Sequence, residues 1–257
     1  MQILVLAAAL GVWEFATVRA DQAFFPPPST FLPRMRELWF SGPADHAFLT
    51  SDALANFGPS LAKLAAGWAV ASLAGVAAGL ALGRSRRLAQ YLDPLLQLGR
   101  AVPPATLIPF FIVVFHLGTT MEIATIAFGV VWPVLLNTMD GARSVDPLQL
   151  DTARVFHLGP GQRLFRLILP GAAPKIFAGM RVAVSIALIL MVIAEIMGGG
   201  TGIGGQLIVA QRTFDLPAMW GSIVILGVLG YLLNTVFLAV ERRSLRWYRG
   251  AKQTEPL

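Results

Sequence analysis

A chain of 257 residues that is 56% apolar and 13% charged, with a mean hydropathy of +0.67, is too greasy for an ordinary soluble domain. Its formal net charge of +6 invites a nucleic-acid reading, but the basic residues stand beside apolar runs, which points to membrane orientation instead. The absence of cysteine excludes disulfides and thiolate metal sites, and His46, His116 and His157 lack metal-ligand spacing, so one all-α integral membrane domain over residues 1–257 is expected.

Ile3 to Val18 is the first apolar run. It begins without a basic lead and no small-residue cleavage site follows, so it reads as a retained span. Glu14 within it is costly in lipid and should face protein or water near the end of the span. Residues 19–58 are polar and turn-rich. Pro26, Pro27 and Pro28 are expected to be extended, with Thr30 to Trp39 a short interfacial helix that puts Trp39 and Phe40 at headgroup level. Ser60 to Leu82 is the second span. Along it Gly67, Ala71, Gly75, Gly79 and Gly83 recur every four residues, a stripe that lets another helix backbone approach closely.

Arg84, Arg86, Arg87 and Arg100 bracket the next loop. Ala101 to Leu117 is a third span broken by Pro103, Pro104 and Pro109. Broken helices occur where freed backbone groups line a cavity or find protein partners, so pathway lining and a simple kink both stay open. Thr119 to Met139 is the fourth span, entered through His116-Leu117-Gly118 and carrying Pro133.

Asp151 to Pro170 is the longest polar interruption between the later apolar runs, within a loop expected over residues 140–175. Asp146 suits an N-cap, Pro147 the first helical position, and Gln149 the closing position of a capping box. That helix is expected to reach about Leu158, where Gly159 and Pro160 stop it. A second is expected from Pro160 or Gly161 to just before Pro170. Val155, Phe156, Leu158, Leu164, Phe165 and Leu167 give apolar faces, while Arg154, Arg163 and Arg166 hold the segment at a wet surface. Physically this is a docking knob between spans.

The fifth span, Ile176 to Met197, has Arg181 near its start and Glu195 near its end. About 21 Å of helix separates them, so they cannot pair within it. Arg181 can snorkel or face the pathway, and Glu195 suits a gate or inter-helix contact. Gly198 to Gly205 lacks the Gly-Lys-Ser/Thr of a phosphate loop and reads as a flexible turn outside the membrane. Trp220 to Val240 is the sixth span, followed by a basic tail over residues 241–257 with Arg242, Arg243, Arg246, Arg249 and Lys252. Arginine and lysine concentrate after spans two, four and six, so the positive-inside rule places both termini and the 140–175 loop in the cytoplasm, with 19–58 outside.

The central loop also resembles a known one. Membrane subunits of bacterial ABC importers carry a cytoplasmic loop that opens on Glu-Ala-Ala, turns on a glycine and closes on Ile-x-Leu-Pro. Asp151, Thr152 and Ala153 stand at its opening, His157 at the glycine, with Gly159 expected to take over the turn, and Leu167 with Leu169 and Pro170 at its close. Trp13-Glu14, Ser29, Pro59-Ser60-Leu61, Asp93-Pro94, Pro103-Pro104-Ala105, Pro109, Gly179-Met180-Arg181, Ala194-Glu195 and Gly202-Ile203-Gly204 extend the likeness to the permeases serving nitrate, taurine and alkanesulfonates.

The resemblance implies a type I importer permease of about six spans in the bacterial inner membrane. It forms half of a pore with a second copy or paralogue, is fed by an extracytoplasmic binding protein, and carries no nucleic acid. Two ATPase subunits, holding the ATP and Mg that this chain does not bind, would grip Asp151, Thr152, Ala153, Arg154, Phe156, His157, Gly159, Leu169 and Pro170. Arg181, Glu195, Pro103 and Pro104 would be pathway or gate residues. The chain itself is then not an enzyme, since it has no Walker A motif. A self-sufficient secondary transporter, or the membrane substrate-binding subunit of a vitamin or pyrimidine-precursor importer, are the alternatives. Repeats or midplane charge pairs would mark the first, and unaided ligand capture the second.

Overall fold

Alanine, leucine and glycine dominate the long apolar runs, and almost all of them are helical in the computed structural model, which describes residues 2–20, 24–199 and 201–248. In chain order the helices are α1 (Gln2–Ala20), α2 (Pro28–Trp39), α3 (Ser51–Arg84), α4 (Arg86–Ala101), α5 (Ile108–Phe115) and α6 (Thr119–Arg143). Then come α7 (Pro147–Val155), α8 (Pro160–Arg163), α9 (Leu169–Met197), α10 (Gly202–Arg212) and α11 (Leu216–Ser244). Met1–Lys63 with Val192–Leu229 makes one compact unit, and Leu64–Met191 with Gly230–Leu257 the other.

In the first unit, Trp39, Ala53 and Ile225 form a buried cluster against which Phe57 packs. Trp13 stacks edge-on against Trp220 at 5.2 Å, and the Trp220 indole donates to the Phe24 carbonyl at 3.0 Å. The Arg34 guanidinium donates to the Asp215 carboxylate through Nε at 3.1 Å and Nη2 at 2.8 Å.

The second unit is built around α6, where Met121, Ile126, Val130 and Val134 are fully buried. The glycines of α3 explain how closely the two helices approach. A Cβ on Gly67 would lie 2.7 Å from Ile126, on Gly75 3.0 Å from Val134, on Gly79 2.6 Å from Thr138, and on Gly83 2.6 Å from Ala142. The partner advances in step with the glycine each time, 67 to 126 through 83 to 142, so α3 and α6 run parallel and in register. Against α9 the order reverses. Gly129 meets Leu190, Gly141 meets Ala172 and Gly179 meets Asn137, so α6 and α9 are antiparallel. Phe177 lies 6.2 Å from Phe237, and Gly230 packs on Leu188, so α9 and α11 are antiparallel too.

Parallel neighbours joined in sequence need one return crossing between them. The pair Arg86–Ala101 and Pro104–Phe115, bent by 84°, supplies it. Counting the bent pair as one, and with Ala44–Arg84, Thr119–Arg143, Pro160–Met197 and Leu216–Ser244, the described residues hold five stretches long and apolar enough to cross a membrane. The 19-residue α1 stands outside that set, where six spans were expected. The antiparallel order puts Arg84, Arg143, the α7–α8 loop and Arg242–Arg243 at one end of the bundle. On α11, Val228, Leu232, Val236 and Val240 are each at least half exposed at four-residue spacing, an apolar stripe suited to lipid.

Four expectations are corrected. α3 starts at Ser51 rather than Ser60 and runs through Pro59. The Thr50 hydroxyl caps it, accepting from the Ala53 N–H at 3.1 Å. The Arg84–Arg100 stretch is not a loop but the amphipathic α4, capped by Ser85, whose hydroxyl accepts from Leu88 N–H at 3.2 Å. Pro170 does not end a helix. A π-helical turn at Leu164–Ile168 precedes it, and the changed hydrogen-bond register lets the chain continue into α9 without the missing donor. The glycine-rich segment, apart from Gly200, which lies outside the described residues, ends in the buried start of α10 rather than in a free turn. Arg249 and Lys252 of the basic tail also lie outside the described residues.

Candidate functional site

The loop between α6 and α9 is stiffened at each joint. The Asp146 carboxylate accepts from the Leu148 N–H at 2.9 Å and caps α7 with Pro147 behind it. Thr152 donates its hydroxyl to the Leu148 carbonyl at 2.8 Å. Arg154 bridges Asp151 at 2.6 Å on the wet face. At the far end the Leu158 N–H returns to the Ala153 carbonyl at 2.9 Å and the His157 N–H to Arg154 at 3.0 Å. These two bonds are a Schellman closure, and they require a left-handed residue between them.

That residue is His157, with φ +53°. The histidine itself makes the turn that a glycine would make without strain, at a cost of about 1–2 kcal/mol. Gly159 does not take it over, because its φ of −63° and ψ of 160° are extended. Gly159 instead starts α8, its N–H held by the Gln162 carboxamide oxygen at 3.1 Å. Arg163 Nε donates to the Leu158 carbonyl at 2.6 Å, tying the two short helices together.

The knob therefore has an inside and an outside. Ala153 is buried at 2% exposure, whereas Leu148, Val155 and Phe156 are 71%, 74% and 75% exposed. Phe165, 68% exposed, continues the apolar surface on the π turn. Leu169 and Pro170 are half-buried where the π turn passes into α9.

A second polar cluster lies at the start of α10. Glu195 is fully buried, and its Oε1 meets the Lys63 ammonium at 2.8 Å. The Ser60 hydroxyl donates to the same oxygen at 2.6 Å. Three successive backbone donors of α10 are gripped by side chains. Gly202 N–H reaches Asn56 Oδ1 at 3.1 Å, Ile203 N–H reaches Ser60 Oγ at 3.1 Å, and Gly204 N–H reaches Glu195 Oε2 at 2.9 Å. These are the orphan donors every helix start presents, and the carboxylate also meets the positive end of the helix dipole.

Only glycine fits at two of the three positions. Gly202 has φ +86°, and a Cβ there would lie 2.2 Å from Glu195. A Cβ on Gly204 would lie 2.7 Å from the Val192 carbonyl. Sequence reasoning singled out Glu195 but missed Asn56, Ser60 and Lys63. The signal was present, since 56, 60 and 63 fall on one helix face, but it needs α3 to begin before Asn56.

Arg181 and Glu195 find different partners. Arg181 is 44% exposed and lies 3.8 Å from the Glu241 carboxylate near the end of α11. Pro103 is extended at the bend after α4, and Pro104 packs its ring where a Cβ on Gly129 would sit. Among the described residues no group of three or more His, Asp or Glu side chains is placed to hold a metal ion.

The sequence profile of the family described as binding-protein-dependent transport system inner membrane component matches residues 71–250. The chain is 30% identical over 249 residues to the putative aliphatic sulfonates transport permease protein SsuC of Bacillus subtilis, covering 95% of this chain and 86% of that one. It is 28% identical over 250 residues to the taurine transport system permease protein TauC of Escherichia coli, covering 96% and 90%. It is 30% identical over 249 residues to the bicarbonate transport system permease protein CmpB of Synechococcus elongatus, covering 95% and 90%. A chain from inward-facing structures of the MetNI methionine ABC transporter superposes with a TM-score of 0.65 at 16% identity, covering 73% of this chain and 94% of that one, a likeness of fold.

Proposed function

The chain belongs to the family of binding-protein-dependent transport system inner membrane components, and from that premise we propose that it forms half of the translocation pathway of an ATP-driven importer. A second copy or paralogue supplies the other half, an extracytoplasmic binding protein delivers the substrate, and two ATPase subunits supply the energy. The basic end of the bundle is the cytoplasmic one by the positive-inside rule, which turns the α7–α8 knob toward ATP in the bacterial inner membrane. The names of these relatives mention sulfonates, taurine and bicarbonate, which share a small, oxygen-rich anionic group, so a small anion is the substrate class.

The observation that carries this reading is the knob itself. Two capped helical turns hold Val155 and Phe156 rigidly outward, 74% and 75% exposed, at an end of the bundle rich in arginine. A rigid exposed aromatic is the usual anchor of a protein interface. Closure of the ATPase dimer on ATP would draw the knobs together, and the unbroken helix from Pro160 to Met197 would carry that displacement into the membrane.

The test is copurification from native membranes. Val155→Ala with Phe156→Ala should lower ATPase retention by about thirtyfold, the loss expected for an interface hot spot, while the permease itself still inserts and elutes as one species. Full ATPase retention by that variant removes the knob from the coupling role. Ala153 lies on the buried side of α7, so a bulky substitution there would report packing rather than docking.

A further inference from the structure

At the arginine-rich end of the second unit two cavities share one side chain. The first is a basin of about 680 Å³ lined by Arg84 at the end of α3, Arg86 at the start of α4 and Arg143 at the end of α6. Asp93 and Gln90 stand on its wall. None of the three arginines is within ion-pair distance of a carboxylate among the described residues, and three guanidinium groups against one acid leave the basin positive. The second is a groove of about 630 Å³ running along α3 past Ser72, Val76, Ala77 and Leu80. Its other wall is Phe165 and Leu169, and it too ends at Arg84.

Each cavity alone is ambiguous. A basin of arginines suits any phosphate or sulfate, and an apolar groove on a membrane span suits anything greasy. Joined at Arg84, they match a molecule with an anionic head and a hydrocarbon tail. The length agrees as well, for Ser72 to Arg84 covers about 18 Å of helix, the reach of one acyl chain from the interface toward the bilayer centre. α3 is long and apolar enough to cross a membrane, so a lipid tail suits an apolar groove that runs along it.

We propose that this end of the permease holds one anionic phospholipid, its phosphate in the Arg84–Arg86–Arg143 basin and one acyl chain in the α3 groove. The chain would lie against Phe165 and Leu169, in the segment that joins the α8 turn to α9. An anionic bilayer would therefore brace the base of the knob, and transport would depend on headgroup charge for a reason separate from membrane fluidity. The binding claim stands on the two cavities alone and does not require the importer reading.

The experiment is native mass spectrometry of the full chain in detergent, titrated with phosphatidylglycerol, phosphatidylcholine or inorganic phosphate. One phosphatidylglycerol should be retained in preference to phosphatidylcholine. Arg84→Gln with Arg86→Gln and Arg143→Gln should cut that preference by about a hundredfold, from the attraction of three basic groups at a lipid surface. Ala77→Trp, which fills the groove and leaves the arginines, should lower retention of both lipids. Lipid retention untouched by the arginine substitutions overturns the proposal. So does phosphate binding that competes with the lipid yet ignores Ala77→Trp, which would mark a free-anion basin instead. Should the triple variant fail to fold, Ala77→Trp alone still decides, since unchanged retention in a folded protein empties the groove.

Discussion

Glu195→Ala removes the carboxylate around which the start of α10 is assembled. Three contacts go with it: the Lys63 ammonium at 2.8 Å, the Ser60 hydroxyl at 2.6 Å and the Gly204 N–H at 2.9 Å. The pair is buried at 4% and 0% exposure, so solvent cannot replace what is lost. Taking one partner from a buried ion pair costs about 3–5 kcal/mol. Glu195→Gln keeps the shape and an acceptor for Gly204, and should cost about 1.5–3 kcal/mol, the worth of hydrogen bonds to a charged group. At roughly 2–4 °C per kcal/mol for a chain of this size, thermal unfolding in detergent should fall by about 10 °C for the alanine and about half that for the glutamine. Replacing both charges, Lys63→Met with Glu195→Leu, should recover much of the loss, since apolar isosteres often match a buried pair. Alanine and glutamine variants that both melt within about 2 °C of wild type would refute the assignment of Glu195 as the anchor of α10.

The glycine stripe makes a sharper demand. Gly79→Leu puts a Cβ where the Leu135 carbonyl and Thr138 already lie at 2.6 Å, so it should lose at least the ~1–3 kcal/mol of an overpacked contact and abolish a single elution peak. Gly227→Ala, with nothing within 4 Å, should be neutral or slightly stabilising in the same assay. At the Schellman turn, His157→Gly should relieve about 1 kcal/mol of left-handed strain and slow hydrogen exchange at the Phe156–Leu158 amides, whereas His157→Val should speed it. Asp146→Ala should cost about 1 kcal/mol through the lost cap, read as faster exchange confined to the first turn of α7.

Hydrophobic runs and punctuation carry most of the architecture, and the exceptions share a cause. Asp146-Pro147 located α7 because a cap and a pre-set φ act over three residues. The stripe from Gly67 to Gly83 announced a close neighbour but could not say that the neighbour was α6, since pairing is set by the whole bundle. Pro170 does not end the helix because its local veto is lifted by the π turn over Leu164–Ile168 just before it, a compensation with no sequence mark of its own. α4 was hidden by its arginines, which look like loop but serve as the wet end of an amphipathic helix. Glu195 stood out as an acid in an apolar span. Its partners did not, because Asn56 falls in the stretch that reads as a polar connection, and Ser60 at the first position of the expected span, so the shared helix face from Asn56 to Lys63 does not show.

The register of α3 on α6 also fixes an order of events during synthesis. Every contact of the glycine stripe is made with a segment that leaves the ribosome later, after the whole of α4 and α5 has been made. Until then α3 crosses the bilayer with its narrowest face turned to lipid, unable to close on anything of its own. The bent pair must insert and α6 must emerge before the stripe is covered. A nascent chain halted before α6 has emerged from the ribosome should therefore remain within reach of the insertion machinery, and one halted after α6 has fully emerged should be released as a packed pair.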